Sequence, residues 1–472
     1  MASTEPKLTN RPNVASTGLM IVGLLGSYFT MLQGSTPSEM AGRAAWMVAA
    51  TLVVSVGVEV RSNWKAGLRP DVVSLAALFF LTLFEFLFPQ PIFDSLAVGS
   101  STITGITLCL IAFGSIAIFR HFAPPMPGGL MTLVTRQTPP RIMLGIFWFS
   151  FFFGFLYMLL AVGFNIATLI DQMTGARFSQ PWTRGRYGDL KALLNELGMI
   201  LYLVPPIAGV ILAKREKYKS ATLIAIFMAL LFTFFQGFVS GTRYVLAAYV
   251  VTFLVGYSLA LTKRRSLEFV ILCGVVGSGY LYGSDQMLQF RSIGLKEYLA
   301  IKGQPEPPIL PKDPEQSFFV DYNLLMISQV TEVIPRAHQF LGWEVPYLAL
   351  IRPIPRAIWP GKPEGMSVTF EEIAGVRNTT TKAATFVGEA YLAAGTLGVI
   401  LASAFFGALT AWWGRLSASL TSEFGVLAYA SGFFAIIISM RSLLVLTTAI
   451  LPTIAAICFA VVFLPQSSES TS

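Results

Sequence analysis

Charge is scarce in this chain. Of its 472 residues only 12% are Asp, Glu, Lys or Arg, and 54% are hydrophobic. A soluble domain carries about 25% charged residues, so this balance over such a length excludes an ordinary soluble protein and indicates a polytopic membrane protein. Cysteine is as sparse: Cys109, Cys273 and Cys458 each fall inside an apolar run. That placement excludes a disulfide framework and a thiolate metal site. The only histidines are His121 and His338, too few for a multi-histidine zinc site. No Asp-x-Asp pair occurs, which argues against a divalent ion gripping a nucleotide-sugar phosphate. No Gly-x-x-x-x-Gly-Lys-Ser/Thr loop occurs either, which argues against ATP coupling. No metal and no cofactor is therefore expected. The first apolar run lacks a small-residue cleavage pattern and reads as a retained anchor.

What the chain has is apolar runs. Twelve reach spanning length, about 20 residues each, centred near 15–33, 44–60, 72–90, 101–119, 142–165, 194–213, 220–238, 243–261, 267–284, 385–411, 424–440 and 443–463. The expected fold is an all-α polytopic membrane protein of about 12 transmembrane helices. Residues 1–284 carry the first nine and 386–472 the last three with a short tail. Between them, 285–385 is one large loop with short helices, and 166–193 is a smaller one. Lys and Arg concentrate in alternate connections, among them Arg61, Lys65 and Arg69, then Arg120, Arg136 and Arg141, then Lys214 to Lys219. The positive-inside rule makes these cytoplasmic, with both termini, and turns the two longer loops outward into the periplasm. The net charge of +8 is then topological and needs no nucleic acid.

With that orientation, ionisable residues collect at the outer ends of the spans: Glu85, Glu196, Arg243, Glu389 and Arg441. Charges there are functional candidates, or side chains snorkelling to the headgroups. Above them, the large loop carries Arg352-Pro353-Ile354-Pro355-Arg356-Ala357-Ile358-Trp359-Pro360-Gly361-Lys362-Pro363. Four prolines rule out a regular helix, so Arg352, Arg356 and Lys362 ride on a stiff backbone suited to phosphate oxygens. The smaller loop adds Arg184, Arg186 and Lys191 beside Trp182 and Tyr187. Cations with stacking aromatics, Trp359 among them, point to an anionic ligand with sugar rings. A lipid-linked pyrophosphate sugar fits.

Three stretches carry a resemblance. One runs Glu332-Val-Ile-Pro-Arg336-Ala-His338-Gln-Phe-Leu-Gly342-Trp-Glu-Val-Pro-Tyr347 into Ile354-Pro-Arg356-Ala-Ile-Trp359-Pro-Gly-Lys362-Pro363. Another is Ser240-Gly241-Thr242-Arg243, and the third is Thr385-Phe-Val-Gly388-Glu389-Ala-Tyr391-Leu-Ala-Ala-Gly395-Thr-Leu-Gly398. In this order they resemble the oligosaccharide repeat-unit (O-antigen, Wzy-type) polymerases, over about 240–400, while the N-terminal half matches only in hydropathy. The resemblance implies a metal-independent membrane glycosyltransferase of the bacterial inner membrane. It would join undecaprenyl-pyrophosphate-linked oligosaccharides into O-antigen, capsule or exopolysaccharide, with a chain-length regulator and a flippase as partners beside membrane lipids.

Within that reading the leaving pyrophosphate must be met by cations: Arg243, Arg352 and Arg356 first, then Lys362 and Arg441. The acceptor hydroxyl needs a base, and His338 or Glu389 can serve. His338 also reads as a surface residue, and Glu389 as an ion-pair partner fixing the tenth span. Gly388, Gly395 and Gly398 read as close helix packing. An O-antigen ligase, handing glycan to a lipid-A core, would use a similar chamber. A lipid-linked-sugar flippase or transporter is disfavoured, because no internal repeat is visible and the ionisable groups sit at one face.

Overall fold

The computed structural model describes residues 11–61, 64–177, 179–182, 198–261, 266–302, 322–356, 358–375, 383–416 and 422–463. Among the described residues there is no β-strand, and nine helices are long and apolar enough to cross a membrane. We label α1 Val14–Met31, α2 Pro37–Val60, α3 Pro70–Thr82, α4 Gly99–Phe119, α5 Pro140–Ala161, α6 Val204–Ala213 and α7 Ser220–Val239. There follow α8 Arg243–Ala260, α9 Ser266–Phe290, α10 Asn323–Val333, α11 Thr385–Gly414, α12 Glu423–Arg441 and α13 Leu451–Phe463. Local chemistry sets several starts. Pro37 follows the Thr36 cap of α2, whose hydroxyl accepts from Glu39 N, and Ser422 caps α12 in the same way.

The helices pack as two lobes with separate apolar cores. One core joins α1 to α4 with α10 and α11, around Phe86, Phe113, Ile327 and Phe386. The other joins α5 to α8 with α12 and α13, around Phe147, Leu203, Tyr249 and Phe433. Helix α12 is buried along nearly its whole length and touches α6 and α8 on one side, α3 and α11 on the other. It is the seam.

Two expected spans come out differently. The third span, read as continuous over 72–90, is helical only as far as Thr82. Leu83 leaves the helix (φ −124°, ψ −19°), a 3-10 turn spans Phe84–Leu87, and a short helix follows at Pro91–Leu96. Pro89 and Pro91 forbid continuation. Side chains take up the freed carbonyls: Asn323 Nδ2 donates to Leu81 O (2.8 Å), and Gln90 Nε2 to Glu85 O (3.1 Å). Tyr322 OH in turn donates to Gln90 Oε1 (2.9 Å). The sixth span is a 3-10 turn, Gly198–Leu203, leading into the ten residues of α6. The ninth is the 25-residue α9.

Helix α10 is one of the short helices expected within 285–385, and it is built into the core. Leu324, Leu325, Met326 and Ile327 are all buried, and α10 packs on α4 and α11. Eleven residues are too few to fill a spanning window, so hydropathy does not mark it as a span.

Helix α11 is itself broken. Ala394 (φ −154°, ψ 31°) and Gly395 (φ 62°, ψ −148°) are non-helical, and the latter region is essentially glycine-only. The break leaves carbonyls that Leu341 N and Gly342 N satisfy, at Leu392 O and Ala393 O, both 2.9 Å. The large loop thus completes a spanning helix.

At the Pro70 end of α3 lies a buried ring of four charges. Arg69 meets Glu59 (3.0 Å) and Asp71 (2.5 Å), while Arg120 meets Glu59 (3.0 Å) and Asp71 (3.2 Å). All four side chains are 4% exposed or less. Ser16 and Thr17 hydroxyls accept from the Arg120 guanidinium. Arg69 and Arg120, read from sequence as orientation charges in cytoplasmic loops, are here internal partners of two carboxylates.

Candidate functional site

Beyond the other end of α3, at the seam, a cavity of about 340 Å³ opens. Four arginines line it, Arg177, Arg243, Arg291 and Arg441, with one carboxylate, Glu85. The walls run inward to Val73 on α3 and Val251 on α8, past Ala76, Ala77 and Phe80. From Arg243 to Val251 is eight residues, a depth of about 12 Å along the helix. The cavity therefore has a cationic mouth and an apolar floor.

Each arginine is placed by a local device. Arg243 is the first residue of α8, after the turn Ser240-Gly241-Thr242. Gly241 takes φ +63°, and a side chain there would stand 2.8 Å from Arg291 Cβ. Only glycine fits this turn against that neighbour. Arg441 ends α12, its guanidinium 4.8 Å from the Tyr244 ring centroid, a cation–π contact that fixes its direction. Arg177 and Arg291 come from the two loops, which join through an antiparallel bridge between Gly175 and Gly294. Arg177 N donates to Arg291 O (3.1 Å), and Lys296 Nζ meets Asp171 Oδ1 (2.6 Å). Glu85 sits in the unwound turn after α3, and its charge reaches Tyr322. Burial, then that charge, pushes the Tyr322 phenol up to about 12.

Of the residues proposed from sequence, Arg243 and Arg441 enter the cavity. Glu389 stands beside it. Its Oε1 accepts from Ser442 Oγ (2.6 Å), and its Oε2 from Leu443 N (2.6 Å) and Leu444 N (3.3 Å). These are the residues directly after Arg441, so the carboxylate clamps the turn that carries that arginine. Arg352 lies near enough to Glu389 for their charges to interact. The helix ahead of Arg352, Glu344–Ile351, is tied to the same turn by Thr447 Oγ1 donating to Ala349 O.

Arg356 and Lys362 staple the proline-rich loop. The Arg356 guanidinium donates to Lys362 O (2.7 Å) and Pro363 O (3.0 Å). Lys362 Nζ donates to Arg352 O (2.8 Å) and Ile354 O (2.9 Å). Trp359 is half-buried in the same loop. His338 is exposed and stands near Glu372 rather than in the cavity wall. The Glu372 carboxyl is held below the usual range by the backbone and side chain of Thr369, with His338 contributing last. Glu196, Arg184, Arg186, Tyr187 and Lys191 lie outside the described residues.

Sequence reading missed Arg177 and Arg291. Both are loop residues flanking spans on the side to which Arg243 and Arg441 belong, and that shared side was the available signal. Among the described residues, no three His, Cys, Asp or Glu side chains gather as metal ligands do.

A family model described as a domain of unknown function (DUF8712) matches residues 319–466, under a third of the chain. The match covers α10 to α13 and so includes Glu389 and Arg441, but not Arg243. No curated protein and no solved structure matches the chain.

Proposed function

We propose that the cavity holds the diphosphate of a polyprenyl-linked glycan, and that the chain polymerises such lipid-linked repeat units. The observation that carries this reading is the pairing of four arginines at the mouth with an apolar floor in one slot. A soluble anion needs no apolar floor, and a neutral lipid needs no arginines. An amphiphile with a doubly charged head uses both. Arg forks match phosphate oxygens two at a time, and a helix N-terminus such as that of α8 adds its own favourable field.

In this reading twelve segments cross or enter the membrane, both termini are cytoplasmic, and the cavity mouth faces the periplasm of a bacterial inner membrane. The arginines meet the charge that grows on the pyrophosphate as the glycosidic bond breaks. Glu389 holds Arg441 through the 442–444 turn, and the stapled loop of Arg356, Trp359 and Lys362 covers the headgroup. Arg352 bridges loop and clamp.

The test is genetic and biochemical. Cells lacking the chain should lose the long-chain glycan ladder and retain single repeats, and purified chain should bind undecaprenyl pyrophosphate in nanodiscs. Loss of single repeats together with the ladder would instead favour a flippase, a reading that the two broken helices, α3 and α11, support. Against it, the cations gather at one end of the slot instead of along it.

A further inference from the structure

Glu85 is the one carboxylate among the described residues of a cavity whose charged lining is otherwise four arginines. An anion site gains nothing in affinity from a negative charge in its wall, so the residue calls for a role of its own. Building it in is also structurally demanding. The chain abandons α3 after Thr82, and the unwound turn that carries Glu85 is held from outside by Gln90 on its carbonyl and Tyr322 on Gln90. The two bases considered from sequence are placed less well. Neither His338 nor Glu389 lines the cavity.

We infer that Glu85 is the general base of glycosyl transfer in this cavity, an inference that rests on the proposed polymerase reading. In the step, the acceptor hydroxyl gives its proton to the Glu85 carboxylate as its oxygen bonds to the anomeric carbon of the growing glycan. The bond from that carbon to the pyrophosphate oxygen breaks, and its electron pair leaves with the lipid diphosphate. Arg177, Arg243, Arg291 and Arg441 receive that charge. Tyr244 and Tyr280 line the same wall, and Tyr322 stands behind the turn.

The experiment compares wild type with Glu85→Gln and Glu85→Asp. Binding is read with undecaprenyl pyrophosphate in nanodiscs, and transfer with lipid-linked glycan extracted from cells deleted for the chain. Glu85→Gln should bind the probe within about threefold of wild type and lose about a hundredfold or more in kcat, the range for general-base loss. Its residual rate should lack the acid limb of the pH profile, and Glu85→Asp should restore that limb with part of the rate. Transfer within threefold of wild type with the limb intact overturns the inference, whether or not the probe binds more tightly. So does loss of probe binding in Glu85→Gln, which makes the residue part of the binding wall. If wild type itself fails to bind the probe, the polymerase reading falls first.

Discussion

Helix α3 joins two ways of keeping arginine inside a membrane protein. At its Pro70 end, Arg69 and Arg120 face Glu59 and Asp71 in a closed, charge-balanced ring with no exposed member. Past its Thr82 end, four arginines and one carboxylate among the described residues line an open space. Buried charge is tolerated when paired and hydrogen-bonded. The ring meets that condition by itself, so its charges have their partners within the fold. The ring closes on itself, whereas the described charges of the cavity stand around open space.

The sharpest way to break this contrast is to remove one acid from the ring. Asp71→Asn or Glu59→Gln leaves two guanidiniums buried against a single carboxylate. Removing one partner of a buried pair costs about 3–5 kcal/mol, so either variant should vanish from the membrane fraction on a quantitative blot. Normal abundance would remove the scaffold half of the comparison. In the cavity the expectation is the opposite. Arg243→Lys or Arg441→Lys should leave abundance unchanged, since no ring is opened. Lysine keeps the charge but loses the planar fork. A lost charge-assisted hydrogen bond of about 1.5–3 kcal/mol slows polymer extension by roughly ten- to a hundredfold, visible as shortened ladders at equal protein.

Glu389→Gln sharpens the comparison at the edge of the cavity. It places an amide among donors from Ser442, Leu443 and Leu444, so Arg441 should drift and undecaprenyl pyrophosphate should bind about tenfold more weakly, for a loss near 1.4 kcal/mol. The pH profile of transfer should keep its shape; a lost acid limb would return the role of base to Glu389. Smaller still is Arg356→Lys, which cannot hold Lys362 O and Pro363 O together as a fork. About 1 kcal/mol of local stability should go, read as faster amide exchange over 354–363 with little change in abundance. The smallest effect is at Glu372, whose carboxyl is held low by its cap. That contribution is complete above the usual glutamate value of about 4.3 and fades as pH falls through the lowered one. Amides of Phe370–Ile373 should therefore fray only under acid, and Glu372→Gln should remove the dependence.

The sequence made the helical membrane class legible because apolar runs are long and charge is rare. It made Arg243, Arg441 and Glu85 legible as well, since each is an ionisable residue at the end of a hydrophobic run. The ring was hidden for a physical reason. Arg69 and Arg120 look like any positive-inside residues, and although Asp71 is two positions from Arg69, the ring closes only through Glu59, 10 positions from Arg69, and Asp71, 49 from Arg120. The break in α3 was hidden inside Phe79 to Phe88, a stretch so apolar that hydropathy cannot distinguish helix from unwound backbone. Arg177 and Arg291 depend on contacts between two loops distant in sequence, and no local pattern announces a contact of that range.

The hydrogen bonds from Leu341 and Gly342 to the broken helix have a practical consequence for anyone preparing fragments. A recombinant segment cut out near residues 285 and 385 would carry α10 with Leu324 to Ile327 turned to water, and its 341–342 amides would have lost their acceptors. Such a fragment should aggregate, and antibodies raised against it would recognise shapes that the intact protein never presents. A useful immunogen has to keep α4 and α11, and hence the lipid around them.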